Sequence, residues 1–118
     1  MVSIIGAGPA GNYLASKLAK NGLNVDVYED HKKIGIPVAC TGILTNYLKD
    51  LIKIDDNWIV NKINQTEVYS PDGNFVSIKL KKNYVVDRTL FDSSLAEIAE
   101  SNGANYHKGF RFLSFKKN

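Results

Sequence analysis

The chain has 118 residues, 44% hydrophobic and 23% charged, the proportions of one ordinary globular domain. Its net charge of +3 comes entirely from residues 61–118, where nine basic residues face six acidic ones. So small a surplus argues against nucleic acid as a partner and is most simply a solvated basic face. The single cysteine, Cys40, excludes an internal disulfide and points to a reducing, cytoplasmic setting. No apolar run reaches the roughly 18–20 residues of a membrane span, and no basic stretch precedes the first apolar run as a signal peptide requires.

In chain order, Val2-Ser3-Ile4-Ile5 reads as a buried parallel strand ending in glycine. A helix is expected from Ala10 to Asn21, with Ala10, Leu14 and Leu18 as its apolar stripe and Ala15 and Ala19 widening it. Pro9 suits the first turn, and Gly22 suits a left-handed C-terminal cap. Val25 to Glu29 reads as a second strand, and a strand–helix–strand path this short requires the two strands to be parallel.

His31 to Gly42 is expected to be a loop, followed by a short helix over Thr45–Ile52. Thr66–Tyr69 and Phe75–Leu80 flank the strong turn Ser70-Pro71-Asp72-Gly73-Asn74, predicting a β-hairpin with Val76, Ile78 and Leu80 on its dry face. A third helix is expected over Leu90–Asn102, capped by Thr89 with Asp92 three residues on, burying Phe91, Leu95, Ile98 and Ala99. Gly103 ends it, Ala104–His107 reads as another parallel strand, and Phe110, Phe112 and Phe115 suggest a further strand. Lys79, Lys81 and Lys82 read as a solvated or edge-strand feature.

Gly6-Ala7-Gly8-Pro9-Ala10-Gly11 is a GxGxxG pattern in the context it requires. It follows an apolar strand and opens a helix, and an acidic residue, Glu29, ends the next strand eighteen positions after Gly11. Gly6 permits the sharp turn, Gly8 lets a pyrophosphate approach bare backbone, and Gly11 lets the helix pack close to the strand. The helix N-terminus offers free N–H groups and partial positive charge to phosphates. Glu29 is suited to the ribose hydroxyls and would repel the 2′-phosphate of NADP. FAD and NAD share the ADP moiety, so this pattern alone does not separate them. His31 and His107 are read as surface residues, with no spacing that suggests a metal site.

GAGPAG followed by VYED resembles the FAD-binding fold of the glutathione-reductase type. GIPVACTGIL and VVDRTLFDSSLAEIAESNGA narrow the resemblance to the geranylgeranyl reductase family of flavoproteins, across nearly the whole chain. The resemblance implies an α/β, Rossmann-like fold, partial here, with three parallel strands and an inserted β-hairpin. Residues 1–118 would be the N-terminal part of an FAD-binding domain, with the substrate domain absent. It implies FAD as cofactor, held by Gly6, Gly8, Ala10, Gly11, Glu29 and Asp30. Cys40, Thr41 and Gly42 would border the flavin, and Arg88 would approach the phosphate and adenosine region. Thr41 departs from the Cys-Gly-Glu-Gly form common in archaeal lipid reductases, which leaves the substrate open.

The implied activity is flavin-dependent reduction of isoprenoid double bonds in lipids or pigments, with this chain alone expected to be inactive. No catalytic acid and no metal ligand is assigned. Two alternatives stay open: a non-catalytic dinucleotide-binding fragment, and another flavoprotein of this fold such as an aromatic hydroxylase. The expected partners are an isoprenoid or other small-molecule substrate, a second polypeptide completing the fold, and a peripheral membrane surface.

Overall fold

A computed structural model describes residues 1–116. In chain order the elements are β1 (Val2–Ile5), α1 (Pro9–Lys20), β2 (Val25–Glu29), β3 (Ile43–Leu44), β4 (Ile59–Tyr69), β5 (Phe75–Val86), α2 (Arg88–Ser101) and β6 (Asn105–Lys108). They form two units. One comprises Met1–Val38 with Thr89 onward, the other Ala39–Arg88.

The first unit is the α/β part. Val25 and Val27 alternate with Asp26 and Tyr28, and both valines are fully buried. Removing each from water contributes about 1.5–3 kcal/mol, enough to make β2 the natural centre of the sheet. β1 and β6 pair with it on either side, both parallel, in the order β1-β2-β6. β1 therefore lies at an edge, and only Ile4 of its four residues is buried. Ile4, Val25 and Val27 share one cluster with Ala15, Ala19, Ala96 and Ala99, so small helical residues meet branched strand residues.

That preference for small residues corrects the expected helix faces. α1 buries Asn12, Ala15 and Ala19, while Ala10 and Leu14 are exposed and Leu18 is half-buried. α2 buries Phe91, Asp92, Leu95, Ala96 and Ala99, and Ile98 is exposed. A Cβ on Gly11 would lie 2.1 Å from the Gly6 carbonyl oxygen, so α1 turns Gly11, Ala15 and Ala19 toward the sheet, with Leu18 at the margin of the core and Leu14 outside it. α1 begins at Pro9, and Gly22 at φ +80 follows its end, both as the residue types dictate.

α2 starts at Arg88, which places Thr89 inside the first turn rather than at the cap. The Thr89 hydroxyl instead donates to the Gly35 carbonyl at 3.3 Å. Among the described residues no strand follows β6. Gly109 turns the chain at φ +81, and the Phe110 amide donates to the Glu29 carbonyl at 2.9 Å. The expected strand at Phe110, Phe112 and Phe115 is replaced by an irregular, exposed segment.

The second unit is an antiparallel sheet of order β3-β5-β4. Its hairpin turns where Pro71 and Gly73 predict, with Gly73 at φ +87. The strands run farther than local signals suggest, and pairing continues from Tyr69↔Phe75 back to Ile59↔Val86, across register shifts at Ile59/Asn61 and Ile63/Gln65. Val76 and Ile78 are exposed, so the hairpin's expected dry face is uncovered. In place of the α-helix expected over Thr45–Ile52 there is a 3-10 turn, Asn46–Asp50, with no buried residue. Without a buried face nothing repays the cost of a full helical nucleus. Among the described residues no helix is long and apolar enough to cross a membrane.

Candidate dinucleotide site

The Gly6 amide donates to the Tyr28 carbonyl at 2.8 Å, extending the β1–β2 ladder by one residue before the chain turns. Gly6 makes that turn at φ +97, a region that side-chain-bearing residues rarely occupy. Gly8 follows as the N-cap of α1 with an ordinary extended backbone, φ −77 and ψ 178. No side chain caps the helix, and its first turn holds no acidic residue. The Asn12 amide, bonded to the Gly8 carbonyl at 2.9 Å, opens the backbone bonding, and the amides of Ala10 and Gly11 precede it at the positively polarised end.

The three glycines answer to different demands. Gly11 is required by contact with Gly6, and Gly6 by its φ. A Cβ on Gly8 would meet nothing within 4 Å. Neither packing nor backbone conformation asks for glycine there. The space in front of Gly8 is the opening through which an anion can reach the helix N-terminus.

Glu29 ends β2 beside this loop, its side chain only 12% exposed. Its Oε2 accepts from the Ala7 amide at 2.8 Å, and its Oε1 accepts from the His31 amide at 3.0 Å and lies 2.6 Å from His31 Nδ1. Burial pushes the carboxyl pKa up, but the hydrogen bonds from Ala7 and His31 outweigh it and bring it down to about 2. The group is a fixed anion at any ordinary pH. His31 is a surface residue as expected, yet its ring also lies 2.8 Å from Asp30 Oδ1, which ties the two carboxylates together. His107, half-buried, stacks on Tyr28 at 4.7 Å and reaches Asp26 Oδ1 at 2.9 Å.

A cleft of about 270 Å³ opens at the carboxyl ends of β1 and β2, lined by Gly6, Glu29, Asp30, Phe110, Arg111 and Phe112 among others. Ligand sites of open α/β sheets lie at such strand ends. Phe110, Arg111 and Phe112 escape a reading of sequence because they stand some eighty positions from Glu29. An arginine set between two aromatics is the one signal they offer.

The remaining predicted residues belong to the second unit. Cys40 and Thr41 are exposed, and Cys40 Sγ accepts from the Gly42 amide at 3.5 Å. Gly42 is buried at φ +75, and a Cβ there would lie 2.4 Å from the Val86 carbonyl oxygen and 3.5 Å from the Arg88 side chain. Its carbonyl accepts from the Val86 amide at 2.9 Å. Gly42 is thus demanded by its own packing on β5, independently of any cofactor.

Parallel strands joined through a glycine turn, a helix opening at that turn and an acid ending the second strand define a Rossmann-like dinucleotide-binding fold. Residues 4–43 match the family of NAD(P)-binding Rossmann-like domains. The chain is 39% identical to the digeranylgeranylglycerophospholipid reductase of Methanosarcina acetivorans over 109 residues, 87% of this chain and 27% of that protein. It is 37% identical to the enzyme of the same name from Methanothrix thermoacetophila, covering 87% of this chain and 28% of that one. Among solved structures, a geranylgeranyl bacteriochlorophyll reductase-like protein from Thermoplasma acidophilum superposes with a TM-score of 0.82 at 30% identity, over 92% of this chain and 29% of that one. The halogenase PltM, solved with phloroglucinol and FAD, shares the fold at a TM-score of 0.71 and 21% identity, over 99% of this chain and 29% of its own. The chain is therefore similar to the N-terminal part of the geranylgeranyl reductases. It spans just over a quarter of the length of the curated relatives it matches.

Proposed function

We propose that this chain is the FAD-binding part of a flavin-dependent oxidoreductase that reduces isoprenoid double bonds of a lipid. The observation that carries the reading is Gly8, whose missing side chain serves nothing within the fold but leaves the helix end open to a pyrophosphate. Gly6, Gly8, Ala10 and Gly11 would hold the phosphates, and Glu29, with Asp30 beside it, the adenosine ribose. Phe110, Arg111 and Phe112 offer flat apolar and guanidinium surfaces suited to stacking adenine. Arg88, Cys40, Thr41 and Gly42 would serve the rest of the cofactor.

FAD is favoured over NAD by the relatives, which include lipid reductases and a halogenase solved with FAD. NADP is disfavoured by the ionised Glu29. When bound, flavin supplies the hydride chemistry, while the protein binds and orients it. A cytoplasmic protein acting at the membrane surface fits a lipid substrate and a lone, exposed cysteine.

Titration calorimetry of the 118-residue chain with FAD, NADH and NADPH tests the reading. FAD binding that is lost in Gly8→Val is expected. Absence of FAD binding, or a Gly8→Val variant that binds as well as the parent, would sink it.

A further inference from the structure

Asn12 is fully buried in the first turns of α1, where a small apolar residue would meet the packing need at lower cost. Both polar atoms of its side-chain amide are bonded. Nδ2 donates to the Ala7 carbonyl at 2.9 Å and to the Asp92 carbonyl at 2.9 Å, and Oδ1 accepts from the Tyr106 hydroxyl at 2.8 Å. The Ala7 peptide group is the middle of the glycine turn, and its amide is bonded to Glu29. Residue Ala7 is thereby held from both ends, by a carboxylate on its N–H and a carboxamide on its C=O.

We propose that Asn12, braced by Tyr106, is a positioning residue that fixes the glycine turn in its phosphate-receiving conformation. It ties the turn rigidly to α2 through Asp92 and to β6 through Tyr106. Asn12 itself does not reach the cleft, so its effect on a ligand is carried through Ala7. Burial first, and the negative Glu100 second, raise the Tyr106 pKa, so the phenol stays protonated and able to donate. The inference rests on the dinucleotide reading above for its ligand, but not for its effect on the turn.

The test uses Asn12→Ala and Tyr106→Phe in the 118-residue chain, with amide hydrogen exchange in the absence of ligand and FAD affinity by calorimetry. Exchange at Ala7, whose amide is bonded to Glu29, is expected to quicken about tenfold in Asn12→Ala and less in Tyr106→Phe, while Val27 in the centre of the sheet stays protected. FAD affinity is expected to fall about tenfold in Asn12→Ala. Unchanged exchange at Ala7 in folded variants would overturn the proposal. So would faster exchange with unchanged FAD affinity, which would reduce Asn12 to packing. If Asn12→Ala does not fold, Tyr106→Phe decides by the same two readouts. A parent chain that binds no FAD would sink the functional reading, and the exchange result would still decide this one.

Discussion

The Glu29 carboxylate and the Ala7 amide, 22 positions apart, meet at 2.8 Å, so the acid at the end of β2 holds the glycine turn before any ligand arrives. This contact makes the turn sensitive to acid. The folded-state pKa of Glu29 is lowered from 4.5 to about 2, so its stabilisation is present above about pH 4.5 and is lost as pH falls toward 2. Because the group sits at the solvent boundary, its worth is on the order of 1–2 kcal/mol. Urea midpoints measured from pH 6 down to pH 2.5 should fall in the parent and fall less steeply in Glu29→Gln. Parallel curves would show that Glu29 does not carry the dependence.

Gly8 and Gly11 are separable by experiment. Gly8→Ala adds a Cβ into open space on an unstrained backbone and should shift the urea midpoint by less than about 0.5 kcal/mol in equivalent stability. Gly11→Ala drives a Cβ to 2.1 Å from the Gly6 carbonyl and should cost about 2–4 kcal/mol, or prevent folding. Denaturation of the two variants side by side checks this. Equal effects would mean that α1 does not approach β1 as closely as the structure places it.

The difference between those glycines marks what can be read from the chain. The β1–α1–β2 unit and its glycine turn are legible because their determinants are local: alternation in Val25 and Val27, Pro9 at a helix start, Gly22 at a helix end. The face that α1 buries is not local. Leucines at helical spacing suggest Leu14 and Leu18, but the close approach at Gly11 selects Ala15 and Ala19. Asn12 is invisible for the same reason, since its partners Asp92 and Tyr106 lie 80 and 94 positions away. The hairpin centre follows from Pro71 and Gly73, whereas its length depends on pairing as far as Ile59↔Val86.

In the second unit, Gly42 should be far more sensitive to substitution than Cys40. Gly42→Ala combines a positive φ with a Cβ 2.4 Å from the Val86 carbonyl, so a loss of about 2–4 kcal/mol is expected. Cys40→Ser alters an exposed side chain and should change stability by less than about 0.5 kcal/mol. Thermal melts of both variants provide the check, and a severe loss in Cys40→Ser would show that its thiol carries packing the exposed position does not suggest.

Arg111 offers a way to ask whether the cleft at the strand ends receives the adenosine half of the ligand. It lines the cleft with Glu29 and Asp30, and it is exposed, so its removal should leave the fold intact. A guanidinium there can stack on adenine or face a phosphate oxygen, and either contact is worth about 1–2 kcal/mol. Arg111→Ala should therefore weaken ADP binding by roughly five- to thirtyfold. Arg111→Lys separates the two contacts, because lysine keeps the charge but not the flat surface. If stacking dominates, Arg111→Lys will bind ADP nearly as weakly as Arg111→Ala, and if charge dominates it will recover most of the affinity. Parent-like ADP affinity in Arg111→Ala would remove Arg111 from the site and leave Gly8 and Glu29 to define it.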